Sequence, residues 1–258
     1  MRILFIRHGD PDYKRDRLTE IGMREAQALA PRLAKENIKD FYVSPLGRAR
    51  ETAQPVLDLL GRDAAVMDWM QEFNAKLDVT QDPFLQKAYP DTDAVYGKGA
   101  RARIVWDMLP AYWRDDPVYY TFDGWRSTSV ARHSDMIERY DDVCRGLDSL
   151  LASYGYTREG GLYVTRQGNN DTIALICHFG VTCIMLSYLW GVSPFILLHC
   201  LCNAPTSVTS VRTEEREKGK VIFRANMIGD TSHLYAAGLE PSASASFCQV
   251  YENDWERH

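Results

Sequence analysis

The chain has 258 residues, of which 45% are hydrophobic and 25% are charged, with a formal net charge of −5 and an isoelectric point near 5.7. An acidic balance of this kind excludes a general nucleic-acid or membrane-surface binder, and no apolar run approaches the length of a membrane-spanning helix. We therefore expect neither nucleic acid nor a membrane among the partners of this protein.

The start of the chain and its cysteines together indicate a cytoplasmic protein. Met1 and Arg2 run directly into a predicted strand, which leaves no room for a signal peptide. The six cysteines are predicted to be buried free thiols, since a chain of this length needs no disulfides to fold. His199, Cys200 and Cys202 are predicted to pack in the core, because they lack the usual ligand pairing of a zinc site.

The first predicted strand covers residues 2–6 and ends in Arg7, His8 and Gly9. A short apolar strand that ends abruptly in charged and polar residues is typical of a buried strand that leads into an active-site loop. Arg7 and His8 are therefore candidate site residues.

The predicted first helix opens at Thr19, whose hydroxyl can cap the free N–H groups of the first turn. Its buried stripe is predicted from residues that recur at helical spacing, namely Met23, Ala26, Ala30, Leu33 and Ala34.

A second strand is predicted at 40–43 and leads into a motif that contains Ser44 and Arg48. A helix then runs to Leu60, and a short third strand leads to Glu72. This alternation of strands and helices predicts an α/β fold, namely a three-layer α/β/α sandwich with a mostly parallel central sheet.

Residues 74–133 break this alternation and are rich in aromatic residues and proline. We predict one domain over residues 1–258, in which 74–133 form an inserted cap. The tryptophans of this segment, Trp106, Trp113 and Trp125, are predicted to form the core of the cap. One face of a helix is predicted from the spacing of Ile104, Met108, Leu109 and Tyr112.

The α/β pattern returns with a helix at 134–154, a strand at 172–177 that is followed by His178, and late strands at 207–212 and 221–226. Each of the three polar motifs follows a strand and precedes a helix. Since the carboxyl ends of parallel strands share one edge of a sheet, we expect the three motifs to converge on one crevice.

Together the three motifs resemble the histidine phosphatase superfamily, in its phosphoglycerate-mutase-like branch. The resemblance covers residues 1–73 and 134–235. It implies that the histidine after the first strand, His8, is phosphorylated during turnover. It also implies that the phosphoryl group is held by Arg7, Arg48 and His178.

The resemblance further implies that Glu72 is the proton donor for the leaving group, with Asp68 and Asp78 as rivals. The sequence departs from the family pattern in two places. Residues 10–13 read Asp-Pro-Asp-Tyr and lack the family's phosphate-binding Asn, and Phe179 follows the second histidine directly. The acid-phosphatase branch has Asp at the latter position, so the sequence does not favour that branch.

The chemistry of phosphate-ester hydrolysis fits these residue types. A neutral imidazole is a nucleophile near pH 7 that carries no negative charge, so we expect one ring nitrogen of His8 to face phosphorus and the other to be held by a backbone carbonyl. Guanidinium groups match the phosphoryl oxygens, and a protonated His178 would add a third cation.

We therefore expect a phosphomonoesterase that acts on a small phosphate ester without a metal or any other cofactor. A phosphoglycerate mutase is the alternative within enzymes, but the family's Glu-Arg-x-Tyr-Gly stretch is missing at Glu72-Phe73-Asn74-Ala75. A non-catalytic phospho-ligand binding module on the same fold is a further alternative, which an intact His8 disfavours. The sequence names neither the substrate nor the oligomeric state.

Overall fold

The structure is a computed structural model, and it describes residues 1–89 and 100–243. The chain divides into two compact units. The first comprises Met1–Glu72, Asp148–Thr182 and the chain from Cys202 onward, and the second comprises Phe73–Leu147 and Cys183–Leu201. The segment predicted as an inserted cap, 74–133, belongs to the second unit, and its role as a cap on a single domain stays a prediction.

The strands in the described part of the chain are β1 (Arg2–Arg7), β2 (Pro11–Asp12), β3 (Arg17–Leu18), β4 (Asp40–Val43), β5 (Ala65–Val66), β6 (Lys76–Asp78), β7 (Ala102–Ile104), β8 (Thr157–Glu159), β9 (Leu162–Val164), β10 (Thr172–Cys177), β11 (Val208–Glu217) and β12 (Lys220–Asp230). The α-helices there are α1 (Glu20–Ala34), α2 (Gly47–Leu60), α3 (Pro83–Ala88), α4 (Ser129–Arg132), α5 (Met136–Ser153), α6 (Phe179–Trp190), α7 (Pro194–Cys200) and α8 (Ser232–Ala236). None of the helices within 1–89 and 100–243 combines the length and the apolar character that a membrane span requires.

The first unit is built on an eight-stranded sheet with the order β5-β4-β10-β1-β11-β12-β9-β8. Strands β5, β4, β10 and β1 pair in parallel. The remaining pairings, from β1 through β11 to β8, are antiparallel. The predicted α/β fold with a large central sheet flanked by helices is confirmed, and its parallel half carries the three motifs.

The two central parallel strands are buried on both faces. Every residue of β1 after Arg2 is buried, and so is every residue of β10. A continuous apolar run is typical of a parallel strand that is covered on both sides. On one face, Leu4 and Ile6 of β1 belong to a hydrophobic cluster with Leu29 of α1 and Val56 of α2.

Helix α1 begins as predicted, but its buried face differs. The hydroxyl of Thr19 accepts a hydrogen bond from an N–H group of the first turn, which confirms the predicted cap. Met23 is 37% exposed, so its place in the predicted stripe is wrong. Glu25 is buried instead, because its carboxylate accepts hydrogen bonds from the N–H groups of Asp10 and Ser242.

The second unit has an aromatic core. Trp125 is fully buried and packs on Tyr140, with ring centroids 5.0 Å apart. Tyr119 packs on Phe195 at 4.7 Å, and Trp113 is also buried. Aromatic pairs at these separations add to the stabilisation that their buried area provides. The prediction that the aromatic residues form a core is confirmed for these residues, while Trp106 is half-buried.

The helix predicted from Ile104, Met108, Leu109 and Tyr112 is wrong. Ile104 ends strand β7, and the chain continues in two short 3₁₀ helices, Val105–Asp107 and Pro110–Tyr112. Pro110 starts the second of these turns, a position where its missing N–H group costs no intrahelical hydrogen bond.

The cysteine prediction is confirmed in part. Among the described residues, Cys144, Cys177 and Cys183 are buried and Cys200 and Cys202 are exposed, and none of the five forms a disulfide. Cys248 lies outside the described residues. Cys200 is the last residue of α7, and Cys202 follows the helix. The apolar sequence around these two cysteines therefore lies at an exposed helix end and does not bury their side chains.

Candidate active site

The three strand ends that carry the motifs are neighbours in the sheet. Strand β10 lies between β1 and β4 and is parallel to both. The N–H of His8 donates to the carbonyl of Cys177 at 3.0 Å, and the N–H of Ser44 donates to the carbonyl of Ile176 at 3.0 Å. The loops after these strands therefore leave the sheet at one shared edge, as the sequence predicted.

His8 is fully buried, and one of its ring nitrogens is held by the backbone. Its Nδ1 lies 2.7 Å from the carbonyl oxygen of Gly9. A carbonyl can only accept, so Nδ1 carries the proton and Nε2 keeps its lone pair. Nε2 has no hydrogen-bond partner within residues 1–89 and 100–243. Burial and the charge of Arg7 lower the pKa of His8 well below its usual range, so the imidazole is neutral near pH 7.

His178 lies beside His8, with ring centroids 5.1 Å apart. Its Nε2 lies 2.7 Å from the hydroxyl of Ser44, and its Nδ1 is buried without a partner in the described chain. Burial, followed by the charges of His8, Arg48 and Arg7, lowers the pKa of His178 well below its usual range. The neutral form is therefore favoured over the protonated form expected from the sequence, and a bound dianion would shift this balance towards protonation.

Arg7 is buried next to these histidines and is held through one end of its guanidinium group. Its Nη1 donates to the backbone carbonyl of Asn203 at 2.5 Å. The guanidinium carbon also lies 5.8 Å from the ring centroid of Phe179, the residue that departs from the family pattern. The Nε atom of Arg7 is buried and has no hydrogen-bond partner among the described residues.

Arg48 is held in a similar way at the start of α2. Its Nη1 donates to a carboxylate oxygen of Asp16 at 2.5 Å, and its guanidinium carbon lies 5.3 Å from the ring centroid of Tyr13. Its Nε is buried and unpartnered in the part of the chain that the structure describes. Two guanidinium groups and two imidazoles thus present hydrogen-bonding atoms that can bind a tetrahedral anion.

Glu72 lies at the N-terminal end of the helix that follows His178. It is half-buried, and its Oε1 accepts a hydrogen bond from the N–H of Val181 at 3.2 Å. Val181 is in the first turn of α6, which begins directly after His178. The hydrogen bond to Val181 therefore places the carboxylate of Glu72 at the first turn of the helix that begins after His178.

The two rival acids are placed differently. Asp68 is exposed in a short 3₁₀ helix, Asp68–Met70. Asp78 belongs to the second unit and caps its own turn, where its carboxylate accepts from the N–H and the hydroxyl of Thr80. These hydrogen bonds lower the pKa of Asp78, which keeps it ionised and unsuited to donate a proton.

Sequence reasoning missed the residues that hold the candidate site residues in place. These are Asp16 and Tyr13 against Arg48, the Asn203 carbonyl against Arg7, the Ser44 hydroxyl against His178, and Thr52, whose hydroxyl accepts from the N–H of Gly9 at 2.9 Å. Ser44 and Thr52 belong to the motif around Arg48, so that motif carried a signal for them. Asn203 acts through its backbone, which leaves no signal in the sequence.

The described residues contain no group of three or more His, Cys, Asp or Glu side chains that could hold a metal ion. The cations near His8 are those of Arg7 and Arg48, which are part of the chain itself.

Comparison with known sequences finds a family similar to the first part of the chain. Residues 3–94, which include Arg7, His8 and Arg48, match the sequence model of the histidine phosphatase superfamily (branch 1). This match covers less than half of the chain, and over that part the chain is similar to the histidine phosphatase superfamily. The resemblance inferred from the three motifs is thereby confirmed.

One curated relative is the 2,3-bisphosphoglycerate-dependent phosphoglycerate mutase of Thermoplasma acidophilum. It is 39% identical over 70 residues, an alignment that covers 23% of this chain and 35% of that protein. The chain therefore spans about a third of the length of the curated relative that it matches.

Several solved structures share the fold over most of the chain. A mycobacterial glucosyl-3-phosphoglycerate phosphatase is similar with a TM-score of 0.56 and 18% identity, over 88% of this chain and 98% of that one. A mutant phosphoserine phosphatase from Entamoeba histolytica in complex with phosphoserine gives 0.52 and 18%, over 90% and 98%. The alpha-ribazole phosphatase from Shigella flexneri gives 0.54 and 15%, over 90% and 97%.

Proposed function

We propose that this protein is a phosphomonoesterase that hydrolyses a small phosphorylated metabolite through a phosphohistidine on His8, with Glu72 as the proton donor. The reaction needs no metal and no other cofactor, because the arginines supply the positive charge. The protein acts as an enzyme of the cytoplasm, and residues 74–133 form the cap that selects the substrate.

The single observation that carries this proposal is the state of His8. The Gly9 carbonyl fixes the proton on Nδ1, and burial keeps the ring neutral, so the lone pair of Nε2 is available near pH 7. His199 in the second unit has the same hydrogen-bonding state, with Nδ1 2.8 Å from the carbonyl of Phe195 and Nε2 without a partner among the described residues. What distinguishes His8 is that its open nitrogen belongs to a site that also contains Arg7, Arg48 and His178. A buried imidazole with one nitrogen held and the other open is what a nucleophile requires.

The reaction follows from these groups. Nε2 of His8 attacks phosphorus, the bond from phosphorus to the ester oxygen breaks, and its electron pair leaves with that oxygen. Arg7 and Arg48 stabilise the charge that gathers on the other phosphoryl oxygens. Neutral His178 donates one further hydrogen bond, and it becomes a cation only when the bound phosphate raises its pKa.

Glu72 completes both half-reactions. Its carboxyl group gives a proton to the departing alkoxide, and the resulting carboxylate then takes a proton from the water that attacks the phosphohistidine. Inorganic phosphate leaves and free His8 returns. The hydrogen bond from Val181 positions the carboxylate at the start of the helix that follows His178. The same bond favours the ionised form, so we expect the negative charge of the bound phosphate to supply the opposing effect that protonates Glu72.

The relatives support a small organic phosphate as the substrate. The names of the similar structures give phosphoserine, glucosyl-3-phosphoglycerate and alpha-ribazole phosphates as the compounds that those proteins act on. Each name describes a phosphate on a small organic group. We extend to this chain only that shared class.

A phosphoglycerate mutase is the second candidate, and the curated relative favours it. Hydrolysis is preferred because Phe73 follows Glu72 where the mutases of the family continue with Arg-x-Tyr-Gly, a stretch that helps to retain the bisphosphate intermediate. Transfer of phosphate between phosphoglycerate positions that is faster than release of free phosphate would favour the mutase.

The proposal is tested by a screen for phosphate release from sugar phosphates, nucleotides and phosphopeptides, with and without a chelator. The best substrate is then used to trap acid-labile phosphate on the enzyme. His8→Ala should abolish turnover and trapping while the circular dichroism spectrum and melting temperature stay close to those of the wild type.

Tyr235→Ala is the control, since Tyr235 is 89% exposed in the first unit and lies outside both the site and residues 74–133. It should retain full activity. Acid-labile phosphate on a residue other than His8, or activity that a chelator removes, would contradict the proposal.

A further inference from the structure

A carboxylate lies among the side chains that would bind the phosphoryl group. One oxygen of Asp16 is 2.5 Å from Nη1 of Arg48, and the other accepts from the N–H of Gly47 at 2.7 Å. The side chain of Asp16 is 40% exposed and that of Arg48 is 9% exposed. A carboxylate near a phosphate site weakens anion binding by repulsion unless it does something else there.

The position of Asp16 is fixed by the backbone as well as by the ion pair. Asp16 has φ +51°, in the left-handed region that side chains other than glycine rarely adopt. Its carbonyl oxygen would lie 2.1 Å from a Cβ at residue 47, so only glycine fits there. The loop around Asp16 is therefore pressed directly onto the start of α2.

A second carboxylate fastens the same loop without touching Arg48. The Oε2 of Glu51, which lies on α2, accepts a hydrogen bond from the N–H of Leu18 at 2.6 Å. The chain therefore offers two acidic groups that join this loop to α2, and only Asp16 is in contact with the guanidinium group.

The contact with Asp16 decides which edge of Arg48 is available. Nη1 is used by Asp16, and Nε is buried without a hydrogen-bond partner within the described ranges 1–89 and 100–243. The edge of the guanidinium group that Asp16 leaves open consists of the N–H groups of Nε and Nη2. These two N–H groups point in parallel from one edge of the guanidinium plane and match two oxygens of a phosphoryl group. Arg7 has the same arrangement, with Nη1 held by the Asn203 carbonyl.

Building on the function proposed above, we propose that Asp16 is a positioning residue for Arg48. It holds Nη1 so that the edge formed by Nε and Nη2 is directed at the phosphoryl oxygens, and it does not touch the substrate itself. The contribution of Asp16 to phosphate binding and turnover is therefore exerted through Arg48. It is distinct from the way in which Asp16 and Glu51 hold the loop against α2.

The test is a double-mutant cycle with two readouts, kcat/KM for p-nitrophenyl phosphate and the Kd of inorganic phosphate by calorimetry. Asp16→Ala should weaken both by about 10-fold to 100-fold, the range for a hydrogen bond between charged groups. In the Arg48→Ala background the same change should alter neither by more than about twofold, because the interaction is already lost. Asp16→Asn keeps one acceptor and should lie between wild type and Asp16→Ala.

Two matched variants complete the design. Glu51→Ala releases the same loop but leaves the contact between Asp16 and Arg48, and it should stay within about threefold of the wild type. Arg50→Ala removes an exposed arginine of α2 and serves as the control for Arg48→Ala.

Three results would overturn the proposal. The first is a loss of kcat/KM and phosphate affinity in Glu51→Ala that equals the loss in Asp16→Ala, and the second is an undiminished effect of Asp16→Ala in the Arg48→Ala background. The third is tighter phosphate binding by Asp16→Ala, which would mean that Asp16 repels the anion. Wild-type protein that binds phosphate but hydrolyses nothing would count against the proposed function alone, since the binding readout still decides the role of Asp16. Wild-type protein that does neither would overturn both.

Discussion

The hydroxyl of Ser44 and Nε2 of His178 lie 2.7 Å apart, and both side chains are fully buried. This contact joins the loop after β4 to the loop after β10. It satisfies one ring nitrogen of His178 with a neutral partner, and a neutral partner does not favour the protonated ring. The hydroxyl thus orients the imidazole without adding charge to the site.

We expect Ser44→Ala to lower the free energy of unfolding by about 1–3 kcal/mol, because it leaves a buried ring nitrogen without a partner. Urea unfolding measures this loss, and kcat/KM should fall with it. Ser207→Ala is the control, since the hydroxyl of Ser207 is buried but has no partner in the described part of the chain. It should cost less than about 0.5 kcal/mol. Equal losses in the two variants would mean that Ser44 contributes packing only.

The buried histidines predict a dependence of stability on pH. The pKa values of His8 and His178 lie well below the ordinary value of 6.5 in the folded protein. As the pH falls below 6.5, the unfolded chain binds protons that the folded chain does not, so stability that is present above this pH is lost. The free energy of unfolding should therefore fall between about pH 7.5 and about pH 5.5.

His178→Asn isolates one of these groups. Each unit by which a folded pKa is lowered is worth about 1.4 kcal/mol in this range. The variant should therefore lose less stability than the wild type over the same pH interval, when both are followed by urea unfolding. An identical pH dependence in the two proteins would show that His178 is not buried in its neutral form.

Glu72→Gln should slow the hydrolysis of alkyl phosphates severely and that of p-nitrophenyl phosphate much less. A poor leaving group needs a proton in the transition state, whereas p-nitrophenolate departs without one. Comparison of kcat/KM for the two substrate types measures the difference. Asp68→Asn, which changes the exposed rival, should leave the ratio unchanged. A ratio that moves in Asp68→Asn and not in Glu72→Gln would transfer the role to Asp68.

Trp106 gives the sharpest test of the predicted cap. Trp113 and Trp125 are buried, so their replacement would cost core packing of about 3–5 kcal/mol and confuse the result. Trp106 is half-buried, and Trp106→Ala should change the ratio of KM values between substrates more than it changes kcat. Tyr235→Ala, at a residue that is 89% exposed in the first unit, is the control. An unchanged substrate profile would leave residues 74–133 as scaffolding.

The sequence predicted those parts of the site that strands and local motifs determine. Arg7, His8 and His178 directly end or follow buried strands, so the parallel sheet alone brings them to one edge. The contact of Asp16 with Arg48 joins residues 32 positions apart and depends on the left-handed backbone at Asp16, which no periodicity indicates.

The spacing of apolar residues did not predict the buried face of α1 correctly, because a polar side chain with hydrogen-bond partners is buried there. Met23 has the spacing of a buried residue but is exposed, and Glu25 is buried because two backbone N–H groups satisfy its carboxylate. Burial of a carboxylate depends on such partners more than on hydrophobic pattern. Periodicity was also misleading at 102–112, where the spacing of the apolar residues resembles a helix but the chain forms strand β7 and two short 3₁₀ helices.

The backbone around Arg7 and His8 is completed by a distant part of the chain. The carbonyl of Asn203 holds Arg7, 196 residues away, and the N–H of Thr206 donates to the carbonyl of His8 at 3.2 Å. During synthesis the loop that carries Arg7 and His8 is made first, yet these partners emerge only after most of the chain has been translated. The contacts of Arg7 with Asn203 and of His8 with Thr206 therefore cannot form on the nascent chain until residue 206 has left the ribosome, so the surroundings of the two side chains are completed late in synthesis.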